Sequence, residues 1–198
     1  MSRPSGNATG ISMNAGALPT KRLELLHELV PTATTVGILV NASNANAAAD
    51  VVAVESAAQR IGLQVVIASI AEAETDFNGV FEALTRANAS ALLVNTDAFF
   101  SSRRDQLVAL AFSYGIPTVY SIREFVEVGG LASYGNDLAD AYRHAGVYVG
   151  PILKGARPGD LPVLQPTKFD LVINLKAAKV FGIEISPTLL ARADEVIE

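Results

Sequence analysis

Short apolar runs alternate along this chain with stretches of helical period, and four of the runs stop at small polar clusters. Residues 36–40, Val-Gly-Ile-Leu-Val, lead into Asn41-Ala42-Ser43-Asn44, and residues 91–94 lead into Asn95-Thr96-Asp97. Thr118-Val119 leads into Tyr120-Ser121, and Leu131-Ala132 leads into Ser133-Tyr134-Gly135-Asn136. The runs 36–40, 65–68 and 91–94 are apolar throughout, as expected of strands covered on both faces. Between them lie helical patterns: from about Thr20 to Pro31, from Asn46 to Arg60, from Ala73 to Ala87 and from Ser102 to Tyr114. Strands separated by helices of that length pair in parallel through right-handed crossovers. The pattern predicts an α/β chain, a Rossmann-like open parallel sheet flanked by helices.

Two further strands follow, at 117–120 with Pro117 at the first position and at 131–134, joined by a short helix over 123–128 and Gly129-Gly130. After residue 136 the character changes. Asp137 is placed to cap a helix to about Leu153, with Gly150-Pro151 expected to kink or shorten it. Residues 155–162 read as a loop and 169–174 alternate like a strand. Residues 177–181 and 187–196 read as short helices. The chain thus divides into an irregular segment 1–19, an α/β region 20–136 and a trailing region 137–198.

Composition narrows the function classes. The formal charge of −5 comes without any Lys/Arg cluster, which speaks against a nucleic-acid footprint. Lys21-Arg22 and Arg103-Arg104 read as solvated helix faces. The absence of cysteine removes disulfides, thiol catalysis and thiolate metal sites. No stretch has the roughly 20 apolar residues that span a bilayer. Residues 1–10 contain no apolar core of a signal peptide, so as written the chain is expected to stay in the cytoplasm.

In an open parallel sheet, ligands bind just outside the carboxyl ends of the strands. The residues gathered there are amides, hydroxyls and one carboxylate, which suit a small polar molecule rather than bond breaking. His27 and His144 both fall inside helical patterns, away from strand ends. There is no G-x-S-x-G, Walker-A or H-E-x-x-H motif, and no cofactor, catalytic residue or metal is implied. Asn41, Ser43, Asn44 and Asn46 connect a buried strand to a helix start, where a carboxylate can be held; the plainer role is capping. Asp97 suits an ammonium group through a charge-assisted contact, and the plainer role is turn making. Phe99 and Phe100 can wall a ligand or simply fill the core.

With those residues placed, the chain resembles the ABC-transporter substrate-binding protein family that includes tryptophan-binding receptors. The resemblance is carried by Lys21-Arg22-Leu23-Glu24-Leu25-Leu26, by the run 36–41 with Ser43-Asn44, and by Phe99-Phe100-Ser101-Ser102-Arg103-Arg104. It continues through Arg123-Glu124-Phe125, Gly129-Gly130-Leu131, Ser133-Tyr134-Gly135 and Gln165-Pro166-Thr167-Lys168-Phe169. Val172-Ile173-Asn174-Leu175-Lys176 and the run 189–195 extend it across essentially the whole chain. The family often has proline where this chain has Ala42 and Ala45.

The resemblance implies a type I periplasmic binding architecture with a ligand held between two lobes, and hence a periplasmic setting. On that basis residues 1–19 are the crossover, 20–136 the ligand-binding second lobe, and 137–198 the return helix, crossover strand and C-terminal helices. The first lobe is expected to be missing. The implied role is the solute-binding component of an ABC importer, taking an amino acid or similar small carboxylate without catalysis. Asn41, Ser43 and Asn44 would serve one polar end of the ligand and Thr96 and Asp97 the other. Tyr120, Ser121, Tyr134 and Asn136 would line the wall. Expected partners are the solute, the importer's membrane subunits and no nucleic acid, with self-association through the surface left by the first lobe. Two alternatives stay open: a doubly wound enzyme acting on a sugar or nucleotide, and the ligand-sensing domain of a regulator.

Overall fold

The computed structural model describes residues 4, 6–13, 16–71, 76–166 and 168–198. Its elements are α1 (Leu18–Leu29), β1 (Thr35–Asn41), α2 (Ala47–Arg60), β2 (Gln64–Ile70), α3 (Phe77–Arg86), β3 (Ala91–Val94), α4 (Ala98–Ser102) and α5 (Arg104–Ser113). They continue as β4 (Thr118–Tyr120), α6 (Glu124–Glu127), β5 (Ala132–Asn136), α7 (Leu138–Leu153), β6 (Phe169–Asn174), α8 (Leu175–Val180), α9 (Pro187–Arg192) and β7 (Glu195–Ile197). The strands form a seven-stranded sheet in the order β2-β1-β3-β4-β5-β6-β7. Every pairing from β2 through β5 is parallel, as is β6 with β7. The Asn174 N–H donates to the Leu131 carbonyl over 2.9 Å, which sets the end of β6 beside the start of β5. The expected α/β parallel architecture is what the chain adopts.

β1 is buried at all seven positions because both faces are covered. Val36 and Ile38 join the core with Leu23, Leu26, Val54 and Ala58 of α1 and α2. On the opposite face, a Cβ at Gly37 would lie 2.5 Å from Leu84 of α3, so glycine there lets α3 sit close. Phe77, Phe81, Phe100 and Leu107 are fully buried. Each such side chain contributes roughly 1.5–3 kcal/mol by leaving water.

Three expectations need correcting. The apolar run in β2 is not covered throughout: β2 is the edge strand, and Ile67 stands 48% exposed. The helix expected from Ser102 begins earlier and is broken at Arg103, giving α4 and α5. The tail does not stay helical to Val196. Asp194 leaves α9 extended, its N–H donating to the Leu171 carbonyl (2.9 Å) while its carboxylate accepts the Leu171 N–H (2.8 Å), and β7 then pairs with β6. That pairing satisfies backbone groups which an edge β6 would leave open. The helix expected from Ala73 is described from Phe77, and residues 73–75 lie outside the described residues.

The chain separates into two compact units. The larger comprises Ala17–Gly135 and Asp170–Glu198, and contains the sheet core. The smaller comprises Met1–Gly16 and Asn136–Phe169. It holds α7, which Asp137 caps by accepting the Asp140 N–H at 2.9 Å. Pro151 does not stop α7, which runs on to Leu153 although proline offers no N–H to the carbonyl four residues back. Ala141 is the buried residue of that helix, while Tyr142, Val147, Val149 and Leu153 are exposed. Within the same unit Ile11 bridges Leu164, and the Thr9 hydroxyl donates to the Leu161 carbonyl.

Candidate ligand site at the strand ends

Parallel pairing puts the carboxyl ends of β1, β3, β4 and β5 at one end of the sheet, and the loops leaving β1 and β3 meet there. Asn41 ends β1, and its Oδ1 accepts the Ser43 N–H at 3.0 Å, closing a tight turn. Two residues on, Asn44 repeats the device: its Oδ1 accepts the Asn46 N–H at 2.9 Å. Asn46 precedes α2 yet its side chain makes no cap bond. The Asn44 amide nitrogen instead crosses to the next loop and donates to Asp97 Oδ2 at 2.7 Å.

Asp97 itself caps α4, its Oδ1 accepting the Phe99 N–H at 2.8 Å. The plainer role foreseen for Asp97 is therefore performed, and it coexists with the bond to Asn44. Phe100 is wholly buried core, and Phe99 is half-buried with its ring 5.7 Å from that of Phe77. Thr96 and Ser43 are exposed, Asn44 and Asp97 half-buried.

Beneath Thr96 lies a residue that sequence reasoning placed elsewhere. Arg22 of α1 was expected on a solvated face, yet it is 3% exposed. Its Nε donates to the Tyr134 carbonyl at 2.7 Å and its Nη1 to the Thr96 hydroxyl at 2.9 Å. Burial pushes the guanidinium pKa down to about 10, against the favourable field of Asp50, so the group stays charged at neutral pH. Asp50 is engaged separately, accepting from the Asn95 amide at 3.0 Å. The signal was present: Arg22 shares a helical stripe with Leu18, Leu25, Leu26 and Leu29, all buried. Lys21, its neighbour, is the solvated one, paired with Glu24.

The proposed wall residues are placed less uniformly. Tyr120 is 1% exposed, with its ring stacked on Phe125 at 4.5 Å, so it faces core rather than the open strand ends. Burial raises its phenol well above the ordinary range. Ser121 is buried, and Tyr134 is half-buried with its carbonyl held by Arg22. Asn136 belongs to the smaller unit, where its amide nitrogen donates to the Met13 carbonyl at 2.8 Å and its Oδ1 has no hydrogen-bond partner among the described residues. The structure thus joins Asn41, Ser43, Asn44, Thr96 and Asp97 through two linked loops, and does not bring the Tyr120 ring to them. A concavity of about 660 Å³ lies apart from these residues, against β2 and α3, lined by Ile67, Ser69, Asp76 and Val80.

The family model for ABC transporter substrate binding proteins matches residues 1–197. The chain belongs to that family. It is 27% identical over 184 residues to a tyrosine-binding protein of Clostridioides difficile (strain R20291), covering 93% of this chain and 52% of that protein. Among solved structures it resembles an ABC domain in complex with L-Trp from Streptococcus pneumonia, at 31% identity and a TM-score of 0.87, covering 98% of this chain and 65% of that one. A conserved domain protein from Vibrio cholerae matches at 28% identity and a TM-score of 0.87, over 98% of this chain and 64% of that one. The chain therefore spans between half and two-thirds of the length of these relatives. Family members are substrate-binding proteins acting outside the cytoplasm, and among the described residues no helix is long and apolar enough to cross a membrane.

Proposed function

We propose that this chain holds an amino acid or similar small carboxylate at the ends of β1 and β3, without catalysis, as the second lobe of a solute receptor for an ABC importer. The observation that carries the reading is the bond from Asn44 to Asp97, which gathers amide, hydroxyl and carboxylate groups from two loops at a solvent-facing strand end. Relatives whose names state L-Trp and tyrosine as ligands support an amino acid as the solute. The importer's membrane subunits would be the macromolecular partner, met in the periplasm or its equivalent.

A lobe taken alone covers one side of a ligand, whereas receptor pockets enclose most of a ligand's surface. Binding by this chain is therefore expected at roughly millimolar strength, about −4 kcal/mol. The exposed Tyr142, Val147, Val149 and Leu153 of α7 support a second expectation, that this helix is covered by further protein or by self-association.

Calorimetric titration with the amino acids tests the reading. Asp97→Ala should weaken an ammonium-bearing ligand by about 1.5–3 kcal/mol, the worth of a hydrogen bond to a charged group. An affinity unmoved by Asp97→Ala would place the pocket elsewhere.

A further inference from the structure

We propose that Thr96, oriented by the buried guanidinium of Arg22, takes the carboxylate of the ligand, while the adjacent Asp97 takes the ammonium. The inference rests on the amino-acid reading above and divides two residues that were first assigned to the same end of the ligand.

A guanidinium offers only donors. At 2.9 Å from Arg22 Nη1, the Thr96 oxygen must therefore accept, and its own hydrogen must point elsewhere. Among the described residues that hydrogen has no acceptor within the chain, and Thr96 is exposed. The hydroxyl is thus a donor turned to solvent with a buried positive charge behind it. An ammonium there would meet both a hydrogen and a cation; a carboxylate meets a polarised donor.

The charge of Arg22 is left to be answered. Among the described residues no carboxylate lies within ion-pair distance of it, and its contacts are the neutral Tyr134 carbonyl and Thr96 hydroxyl. Asp50 acts only at longer range and is already held by Asn95. Because Arg22 is 3% exposed, a ligand cannot touch it, so it works through Thr96 and is a positioning residue. Its placement is tightly determined: a Cβ at Gly135 would collide with the Ser121 carbonyl and sit 3.3 Å from Arg22 Nη2.

Asp97 has the opposite polarity. Its two oxygens accept from Phe99 and Asn44, and each keeps a further lone pair, so it can only receive hydrogens. Consecutive residues at the end of β3 thus present one donor and one acceptor, the pattern of a zwitterion.

The test uses the full chain and three probes: L-tryptophan, L-tryptophanamide without the carboxylate, and indole-3-propionate without the ammonium. Affinities are read by NMR titration, which reaches the millimolar range. The chain is expected to bind L-tryptophan at least about tenfold more tightly than the amide. Thr96→Val should bring that ratio within about twofold, chiefly by weakening L-tryptophan, and Thr96→Ser should restore it. Arg22→Gln should lower the ratio and Arg22→Lys retain most of it, with thermal melts confirming that both variants fold. A ratio that survives Thr96→Val overturns the proposal. Equal binding of L-tryptophan and its amide by the unaltered chain also overturns it, while leaving the amino-acid reading standing. Binding of none of the three probes removes both.

Discussion

Asn44 and Asp97, 53 residues apart in sequence, are joined by a 2.7 Å hydrogen bond from side-chain amide to carboxylate. That bond ties the loop after β1 to the loop after β3, and Asp97 simultaneously caps α4. Removing the carboxylate therefore removes a cap and a loop tie together. Asp97→Ala is expected to lower stability by about 1–2 kcal/mol, the range for losing an N-cap carboxylate. Chemical denaturation measures it, and Asp97→Asn, which keeps an acceptor, should lose less than half as much.

Arg22 makes a different prediction, because a buried charge is costly to maintain. Replacing it with Met forfeits two charge-assisted hydrogen bonds, to the Tyr134 carbonyl and the Thr96 hydroxyl, a loss of roughly 1.5–3 kcal/mol. The same change removes a desolvated cation that, among the described residues, no carboxylate contacts, and relief of such a charge is often worth a similar amount. Arg22→Met should therefore leave stability within about 1.5 kcal/mol of the parent in urea denaturation. A loss above about 3 kcal/mol would make Arg22 a structural tie first.

Gly135 sits where β5 passes close to the Ser121 carbonyl, and any Cβ there collides with backbone rather than with a movable side chain. Gly135→Ala should destabilise by about 2–3 kcal/mol, the scale of overpacking against a fixed neighbour. Thermal unfolding gives the number, and a shift of a degree or less would show that the strand ends can part freely.

Asp137 supplies the pH dependence. Its carboxylate accepts the Asp140 N–H and lies 3.5 Å from Lys168 Nζ, which hold its pKa below the ordinary aspartate value. A depressed carboxylate contributes stability above its unfolded pKa, near 3.9, and that contribution fades as pH falls through the folded value. Asp137→Ala should cost about 1 kcal/mol at pH 7 as a lost cap, with the gap narrowing below pH 4. A gap constant from pH 7 to pH 3 would contradict the assignment.

The exposed apolar residues of α7 predict association. Sedimentation should show concentration-dependent self-association, and Tyr142→Glu with Leu153→Glu should shift the chain toward monomer. A monomer insensitive to both changes would show that the face needs no cover.

Much of the fold was legible because local pattern and tertiary context agree. The four-residue β3 stands where its apolar run placed it and the six-residue β6 where its alternation placed it, and both are enclosed. β7 was not legible: Glu195-Val196-Ile197 continues a helical stripe, and only the partner strand β6 makes it extended. The same holds at the site. Asn44 and Asp97 could be nominated from their position after strands, but Arg22 could not be nominated from charge pairs. Its role depends on α1 packing against β3 and β4, from where its side chain reaches the Tyr134 carbonyl of β5, and the local clue was only that an arginine shared a stripe with leucines. The Tyr120 ring lies away from the strand ends for the converse reason: at the end of a three-residue strand, one residue's alternation turns a ring from the open end into the core.

The location of the pocket is the claim on which the rest depends, and chemical-shift mapping of the isotope-labelled chain with L-tyrosine or L-tryptophan addresses it directly. The expected result is saturable amide shifts at residues 41–46 and 95–99, at millimolar ligand, with Asp97→Ala abolishing them. Shifts concentrated at Ile67, Ser69 and Val80 beside β2 and α3, or no saturable shifts for either amino acid, would contradict it.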